Sequence, residues 1–237
     1  MSSPSLLLTC EHGGNEIPQK YRSFFKNHSQ LLNTHRGMDF GALKTSKSIS
    51  KMLAAPLIAS HTSRLLVDLN RSPNNSAIFS EVSRRFSKLE KLNLMKIYYQ
   101  PHHFRVRAQI EKKMDRSKRL LHFAIHSFTP VLNGKRRNAD IGILFDPKSS
   151  FEAMVAAELK HQLNQLAPAL KIRMNYPYKG TSDGLTKILR KNFGTKNYSG
   201  IEIEMNQKFF SAKKLKTTPH LAQLLATAIL KTKDTFK

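Results

Sequence analysis

The sequence predicts an α/β fold, and two observations carry that prediction. Short apolar runs alternate with longer amphipathic segments along the chain, which is typical of α/β proteins. Polar residues of ligand-binding types stand at the ends of several short runs, where open α/β sheets place their ligands. No repeat, low-complexity segment or linker interrupts this alternation, so we expect residues 1–237 to form a single domain.

Seven short apolar runs are predicted to be strands, and five longer segments are predicted to be helices. The expected strands cover residues 6–10, 56–60, 64–69, 121–126, 141–145, 172–176 and 201–205. The expected helices cover residues 40–53, 102–118, 151–163, 185–191 and 219–231. Helix 151–163 shows the helical pattern well, because Met154, Val155, Leu159 and Leu163 form one apolar face.

The chain is strongly basic. Forty Lys and Arg residues stand against 16 Asp and Glu residues, which gives a formal net charge of +24. Such a charge attracts nucleic acid, a membrane surface or acidic small molecules. The basic residues are spread along the chain, with denser stretches at 84–91, 105–119 and 213–216, and no nucleic-acid-binding signature accompanies them. We therefore favour a solvated basic surface over a nucleic-acid-binding protein.

The composition also indicates a compartment. The first residues lack a basic segment and contain only a three-residue apolar run, Leu6–Leu8, which is not the pattern of a signal peptide. No stretch approaches the roughly 18 apolar residues that span a membrane. A single cysteine, Cys10, excludes an internal disulfide bond. We expect a cytoplasmic protein that does not bind membranes.

Two histidines stand where predicted strands end. His12 follows the first strand inside the segment CEHGGNEIP, where Gly13 and Gly14 allow positive φ angles and a close approach of the backbone to a ligand. His126 closes the buried strand HFAIH, and a neutral imidazole in such a place binds metal well. The alternatives are a loop-capping histidine at 12 and a hydrogen-bonded core histidine at 126.

Two carboxylates are further candidates. In GIEIEMNQ, strict alternation places Glu202 and Glu204 on the face opposite Ile201 and Ile203, where Glu204 could serve as a general base. Ordinary charges on an exposed strand face are the alternative. Asp39 precedes a predicted helix, so it is either an N-cap or a metal ligand or partner of one.

The segment SRLLVDLNRSP offers groups that bind a substrate carboxylate. Arg64 and Arg71 flank a predicted strand, and arginine binds carboxylates through two parallel hydrogen bonds. Asn70 stands beside Arg71 at the end of that strand. A structural pair between Asp68 and an arginine is the alternative interpretation of this segment.

Two adjacent histidines, His102 and His103, stand at the start of predicted helix 102–118. We interpret them as helix-cap residues with slight functional promise.

None of these segments is specific alone, but their ordered combination is. The order is CEHGGN-x-IP, H-x-G-x-D-x-GA, SRLLVDLNRSP, a strand that ends in HS, and E-x-N-Q near the end. This combination resembles the N-formylglutamate amidohydrolase family over nearly the whole chain. The resemblance implies a three-layer αβα fold with a central mixed sheet, as in zinc carboxypeptidases.

The resemblance also implies a metal site. Zinc, or another divalent metal, would be held by two histidines and a carboxylate. His12 and His126 match the family's histidines, and Asp39 matches an aspartate that members share. Glu16 is the rival third ligand, although the spacing H-x-x-x-E is one residue longer than the carboxypeptidase-like H-x-x-E.

The implied activity is hydrolysis of an amide by metal-activated water, with Glu204 as the catalytic glutamate. The substrate would be an N-acyl amino acid such as N-formylglutamate, held by Arg64, Asn70 and Arg71. A peptide-like or cell-wall amide is the alternative substrate, and a basic nucleic-acid-binding protein is the alternative function.

Overall fold

The protein is described from a computed structural model, which covers residues 3–210 and 218–237. Its strands are β1 (Ser5–Cys10), β2 (Leu57–Ala59), β3 (Leu120–Phe128), β4 (Val131–Leu132), β5 (Lys135–Arg136), β6 (Ile141–Leu144), β7 (Ile172–Met174) and β8 (Tyr198–Asn206). Its α-helices are α1 (Ser29–Leu32), α2 (Ala42–Leu53), α3 (Lys88–Leu94), α4 (Gln100–Met114), α5 (Ser150–Leu166), α6 (Leu185–Phe193) and α7 (Thr218–Thr235). A π-helical turn, Met95–Tyr99, joins α3 to α4, and 3₁₀ segments cover Gln19–His28, Ser76–Ile78, Ser83–Arg85 and Gln207–Phe210.

Six strands form a mixed sheet in the order β2-β1-β3-β8-β6-β7. Neighbouring strands are parallel except β6 and β8, which are antiparallel. Strands β4 and β5 form a separate two-stranded ribbon. The mixed sheet confirms the predicted fold class.

Helices cover both faces of this sheet. On one face, α2, α5 and α7 pack against a large apolar core that includes Leu8, Phe123 and Ile203. On the other face, α4 and α6 pack against a smaller core that includes Leu7 and Tyr198. Alternating strand residues supply the two cores, as expected for a sheet buried on both sides. This gives the three layers that the resemblance implied.

The expected strand over residues 64–69 is wrong. These residues form turns, with hydrogen bonds from Leu66 N to Ser63 O (2.9 Å) and from Asp68 N to Ile78 O (2.8 Å). Leu65 and Leu66 are buried against the 3₁₀ segment Gln19–His28 instead of a neighbouring strand. A short apolar run in the sequence indicates that the segment is buried. Its periodicity does not show whether the buried segment is a strand or another structure.

The other predicted strands and all five predicted helices are confirmed with small shifts at their ends. The 3₁₀ segment Gln19–His28 and helix α3 were not predicted. None of the helices in the described ranges is both long and apolar enough to cross a membrane.

His122 is a buried core histidine on β3, on the sheet face that α4 and α6 cover. Its Nδ1 atom lies 2.7 Å from the Tyr198 hydroxyl and its Nε2 atom 2.8 Å from Thr9 Oγ1. Burial disfavours the charged imidazole and lowers the pKa of His122 to about 4. The side chain is therefore neutral at pH 7, with a hydroxyl at each ring nitrogen.

This lowered pKa predicts that stability falls in mild acid. The unfolded chain, with an ordinary histidine pKa near 6.5, binds the proton more tightly than the folded chain. The contribution is therefore complete above pH 6.5 and is lost as the pH falls to 4, by about 3 kcal/mol at most. Urea unfolding of the wild type and His122→Gln across this range measures it. The variant should have a lower free energy of unfolding at pH 7 but a shallower decline, and equal declines would contradict the assignment.

Candidate active site

The candidate site lies where the carboxyl ends of β1, β3 and β8 stand side by side. His12 follows β1 by two residues, and His126 lies near the end of β3. Glu204, on β8, is the register partner of His126. Asp39 stands three residues before α2, where its backbone N donates to His12 O at 2.9 Å. Four segments distant in sequence thus meet at one edge of the sheet.

His12, Asp39 and His126 form a buried cluster whose potential ligand atoms all lie within 4.8 Å of one another. Asp39 Oδ2 is central, at 3.5 Å from His12 Nδ1 and 2.9 Å from His126 Nδ1. The two imidazole rings meet edge to face with centroids 5.1 Å apart. Both histidines therefore turn the same ring nitrogen, Nδ1, toward the aspartate.

The opposite nitrogen of each histidine faces a second buried carboxylate. His12 Nε2 lies 2.7 Å from Asp68 Oδ1, and His126 Nε2 lies 3.0 Å from Glu11 Oε2. The first contact is a hydrogen bond, whereas the second has the distance but not the alignment of one. A carboxylate on the outer nitrogen is the arrangement that orients histidine ligands in metal sites.

Asp68 is surrounded by groups that compensate its buried charge. Its oxygens accept from Asn70 N (2.9 Å) and Arg64 Nη2 (3.2 Å), and Arg71 Nε lies 3.9 Å away. Arg64 also reaches Asp39 Oδ1 at 3.4 Å. The structural pair between Asp68 and an arginine thus exists, and the same carboxylate also contacts His12.

The electrostatics keep the carboxylates of this cluster ionised. Burial opposes ionisation, but the charge of His12 beside each aspartate holds the pKa of Asp39 and of Asp68 far below the usual range. Burial likewise disfavours a charged His126, yet Asp39 and Glu11 raise its pKa well above 6.5. The cluster is therefore built to hold positive charge between anionic groups.

These residues fit a divalent cation. His12 Nδ1 is buried and has no hydrogen-bond partner among the described residues. Two imidazole nitrogens and one carboxylate oxygen are a set of three protein ligands typical of catalytic zinc sites, which keep a further position open. The carboxylates on the outer nitrogens complete the fit.

Glu204 extends from the neighbouring strand beside this cluster. It is buried, and its Oε2 atom has no hydrogen-bond partner in the part of the chain that the structure describes. Burial, with the nearby charges of Asp39 and Glu202, raises the pKa of Glu204 to about 8, although His126 acts in the opposite direction. A buried carboxyl with a raised pKa in a cleft is typical of an acid–base residue.

The cluster and Glu204 line an open cleft of about 570 Å³. Both signs of charge reach its wall. The lining includes the predicted substrate residues Arg64, Asn70 and Arg71, together with His35, Arg36, Tyr178, Lys179, Asp183 and Glu202. An enclosed apolar pocket would favour a lipid-like ligand, whereas this wall suits a small charged molecule.

Asn70 and Arg71 also hold the loop that leads into α6. Asn70 Oδ1 accepts from Leu185 N at 2.7 Å, and Arg71 Nη1 donates to Asp183 O at 2.8 Å. Arg71 retains 32% of its side-chain exposure. Both residues therefore line the cleft while stabilising part of its wall.

Glu16 lies outside the cluster. Its side chain is 73% exposed, with Oε1 3.7 Å from His61 Nδ1, and its backbone pairs with Thr62. Asp39 is the carboxylate that the structure brings between His12 and His126.

Sequence reasoning gave Glu11 and His102 little weight, yet both are buried at the site. Glu11 immediately precedes His12, and alternation along β1 directs it to the sheet face that carries His126. His102 lies on α4 with Nε2 3.7 Å from Glu11 Oε1. The adjacency of Glu11 to His12 was the available signal, while the position of His102 depends on helix packing.

The glycines after His12 serve a close approach and not positive φ. The described glycines with positive φ are Gly41, Gly134 and Gly194. A Cβ atom on Gly13 would stand 2.7 Å from Ser60 O, and one on Gly14 would overlap the backbone of His61. The turn that carries His12 therefore packs directly on residues 60–61.

Comparisons with known proteins identify the family of this chain and find similar folds. The chain belongs to the N-formylglutamate amidohydrolase family, whose sequence model matches residues 4–211. A gene product of Agrobacterium tumefaciens, Atu2144, is similar in structure, with a TM-score of 0.84, 26% identity, and coverage of 98% of this chain and 91% of that chain. The N-formylglutamate amidohydrolase from Ralstonia eutropha JMP134 has a similar fold, with a TM-score of 0.73, 15% identity, and coverage of 100% and 95%. A comparison with curated proteins finds no significant match.

The contact at Gly14 predicts that Gly14→Ala destabilises the protein. The new methyl group would meet the His61 backbone, which cannot rotate away as a side chain could. We expect the free energy of unfolding to fall by about 1–3 kcal/mol, the usual range for overpacking. Urea unfolding at pH 7 measures it, and an unchanged midpoint would show that the turn can move off residues 60–61.

Proposed function

We propose that this member of the N-formylglutamate amidohydrolase family is a metal-dependent amide hydrolase that acts on N-acyl amino acids such as N-formylglutamate. One observation carries the proposal: the buried cluster of His12, Asp39 and His126 lies beside Glu204, and all four residues line one open cleft. Family membership supports the reaction class, and the cluster supports its dependence on a metal.

His12, Asp39 and His126 are the residues that would hold the metal. A divalent metal bound there supplies Lewis-acid polarisation of the amide carbonyl and lowers the pKa of a coordinated water. Asp68 and Glu11, on the outer ring nitrogens, would keep both imidazoles oriented.

Glu204 would act as the general base and then as the general acid. Its carboxylate accepts a proton from the attacking water and returns that proton to the nitrogen of the leaving amine. The charges of His126 and His12 oppose the effect of burial, and the pKa of Glu204 is about 8 with both included. An acid–base residue works best when its pKa lies near the operating pH.

Arg71 and Asn70 are the proposed partners of the substrate's carboxylate. Arg71 lies in the cleft wall, and its partial exposure leaves it accessible to a ligand. Arg64 forms ion pairs with both Asp39 and Asp68. We therefore expect its guanidinium group to lie next to the reacting carbonyl and to stabilise the negative charge that develops there. The net charge of +24 would also draw anionic substrates toward the protein.

The proposal predicts metal-dependent release of formate. Purified protein should contain about one zinc or other divalent metal per chain, and it should release formate from N-formyl-L-glutamate. A chelator should abolish the activity, and added zinc should restore it. If the protein binds metal but releases no formate, the proposal of a metal-dependent hydrolase is retained, and other N-acyl amino acids are assayed as substrates. Absence of both, even after zinc is added, would refute the proposal.

Glu204→Gln should separate catalysis from metal binding. The variant should keep its metal, because Glu204 is outside the ligand cluster, and kcat should fall roughly 100- to 10,000-fold through loss of the proton acceptor. Glu202→Gln is the matched control on the same strand face, where Glu202 Oε1 accepts from Thr186 Oγ1 at 2.6 Å, and it should lose far less activity. His126→Ala should lose both metal and turnover. Full activity of Glu204→Gln would remove that residue from the mechanism.

A further inference from the structure

Helix α4 approaches the site through two consecutive histidines. His102 and His103, at the start of α4, are both buried. His103 Nε2 lies 2.9 Å from Leu69 O, in the turn that carries Asp68, and the hydroxyl of Tyr99 donates to Arg71 O at 2.8 Å. Tyr99 and His103 thus hold the Asp68 turn by contacting the backbone carbonyl oxygens of Leu69 and Arg71.

The π-helical turn before α4 sets which residues face the site. Its extra residue rotates the following helix by about 100° relative to an uninterrupted α-helix. With that rotation, His102 faces Glu11 while His103 and Tyr99 stack with ring centroids 4.0 Å apart and face the Asp68 turn. Insertions of this kind are frequent at functional sites.

The two outer carboxylates differ in what surrounds them. Asp68 has arginines and a backbone amide close by. Glu11 is fully buried and, within the described ranges, forms no ion pair with lysine or arginine. Its neighbours are the imidazoles of His126, at 3.0 Å, and His102, at 3.7 Å. A buried carboxylate needs hydrogen-bond donors. Neither Glu11 oxygen has an aligned donor among the described residues, and a ring nitrogen of one of these two histidines lies beside each oxygen.

His102 is likewise a buried polar side chain without a hydrogen-bond partner within residues 3–210 and 218–237. Its side chain is 1% exposed, and neither ring nitrogen has a hydrogen-bond partner in the described part of the chain. The carboxylate in ion-pair distance of this imidazole is Glu11, whose own oxygens also lack hydrogen-bond partners among the described residues. Glu11, His102 and His126 therefore form one buried polar group, with Glu11 directly after β1, His102 on α4 and His126 on β3.

We propose that Glu11 and His102 form a positioning pair that holds His126 with Nδ1 toward Asp39 and a proton on Nε2. This inference rests on the proposed function, because it assigns the pair a role in metal binding. In this arrangement a small rotation of the 3.0 Å contact would let Glu11 Oε2 accept from His126 Nε2–H, while His102, 3.7 Å from Glu11 Oε1, would hold the other oxygen. With the proton on Nε2, the lone pair of Nδ1 is free for the metal.

Zinc affinity tests the pair without using turnover. Competition with a chromophoric chelator should show zinc binding roughly 10- to 100-fold weaker in Glu11→Gln, the effect typical of removing such a carboxylate. His102→Gln should weaken binding in the same direction, and it should add little in the Glu11→Gln background because both act through one contact. His122→Gln is the matched control. His122 is a buried histidine on the same strand and sheet face as His126, but its partners are hydroxyl groups. That variant should keep wild-type affinity even where it is less stable.

The histidine tautomer gives a second readout, and its first part is measured on the wild type alone. Long-range ¹H–¹⁵N correlation spectra of the zinc-loaded wild type should show His126 bound through Nδ1 with a slowly exchanging proton on Nε2. In Glu11→Gln that proton should exchange faster with water. This signature does not follow from a general loss of stability.

The outcomes separate this inference from the proposed function. Wild-type protein that binds no zinc would overturn both. Tight zinc binding with unchanged affinity in Glu11→Gln, or with His126 protonated on Nδ1, would overturn the positioning pair and leave the metal-dependent function intact. Equal losses in His122→Gln and Glu11→Gln would show a general effect of core substitution and also overturn the pair.

Discussion

The carboxylate of Asp39, buried between the imidazoles of His12 and His126, is the interaction on which the rest of the site depends. Its Oδ2 atom lies 2.9 Å from one Nδ1 and 3.5 Å from the other. An ionised carboxylate removed from water is stable only with close compensating groups, so its neighbours are constrained as well. Arg64 reaches its other oxygen, and the backbone N–H of Ser127 donates to Oδ2 at 3.3 Å.

The sheet supplies the rigidity that such a cluster requires. Strands β1, β3 and β8 are parallel neighbours, so their carboxyl ends carry His12, His126 and Glu204 to one edge. The large core beneath α2, α5 and α7 immobilises those strands from one side. On the other side the polar residues themselves fill much of the space near the edge, with α4 and α6 packed over them. A site built on strand ends is held more accurately than one carried by loops alone.

Much of the fold followed from pattern, and the exceptions share one cause. Strands and helices with clear periodicity were predicted within a few residues, because burial of one face imposes that periodicity on the sequence. Leu65 and Leu66 pack against the 3₁₀ segment Gln19–His28, while Val67 and Leu69 pack with Ile78 and Tyr99, and such burial leaves no strand-specific signal. The π turn Met95–Tyr99 has no sequence signature that we recognised, yet it sets the phase of α4. Elements that are buried against partners distant in sequence cannot be predicted from the local sequence pattern.

The sequence by itself determined the α/β class, the family and the residue types that could carry chemistry, since motif order and strand-end position are local properties. Tertiary structure decided which of those residues meet. It placed Asp39, 27 positions after His12, between the two histidines, and it left Glu16, only four positions after His12, at the surface. It also brought Glu11 and His102, 91 positions apart by their numbers, to 3.7 Å. Proximity across such separations arises from the packing of helices on a sheet, and spacing along one chain does not encode it.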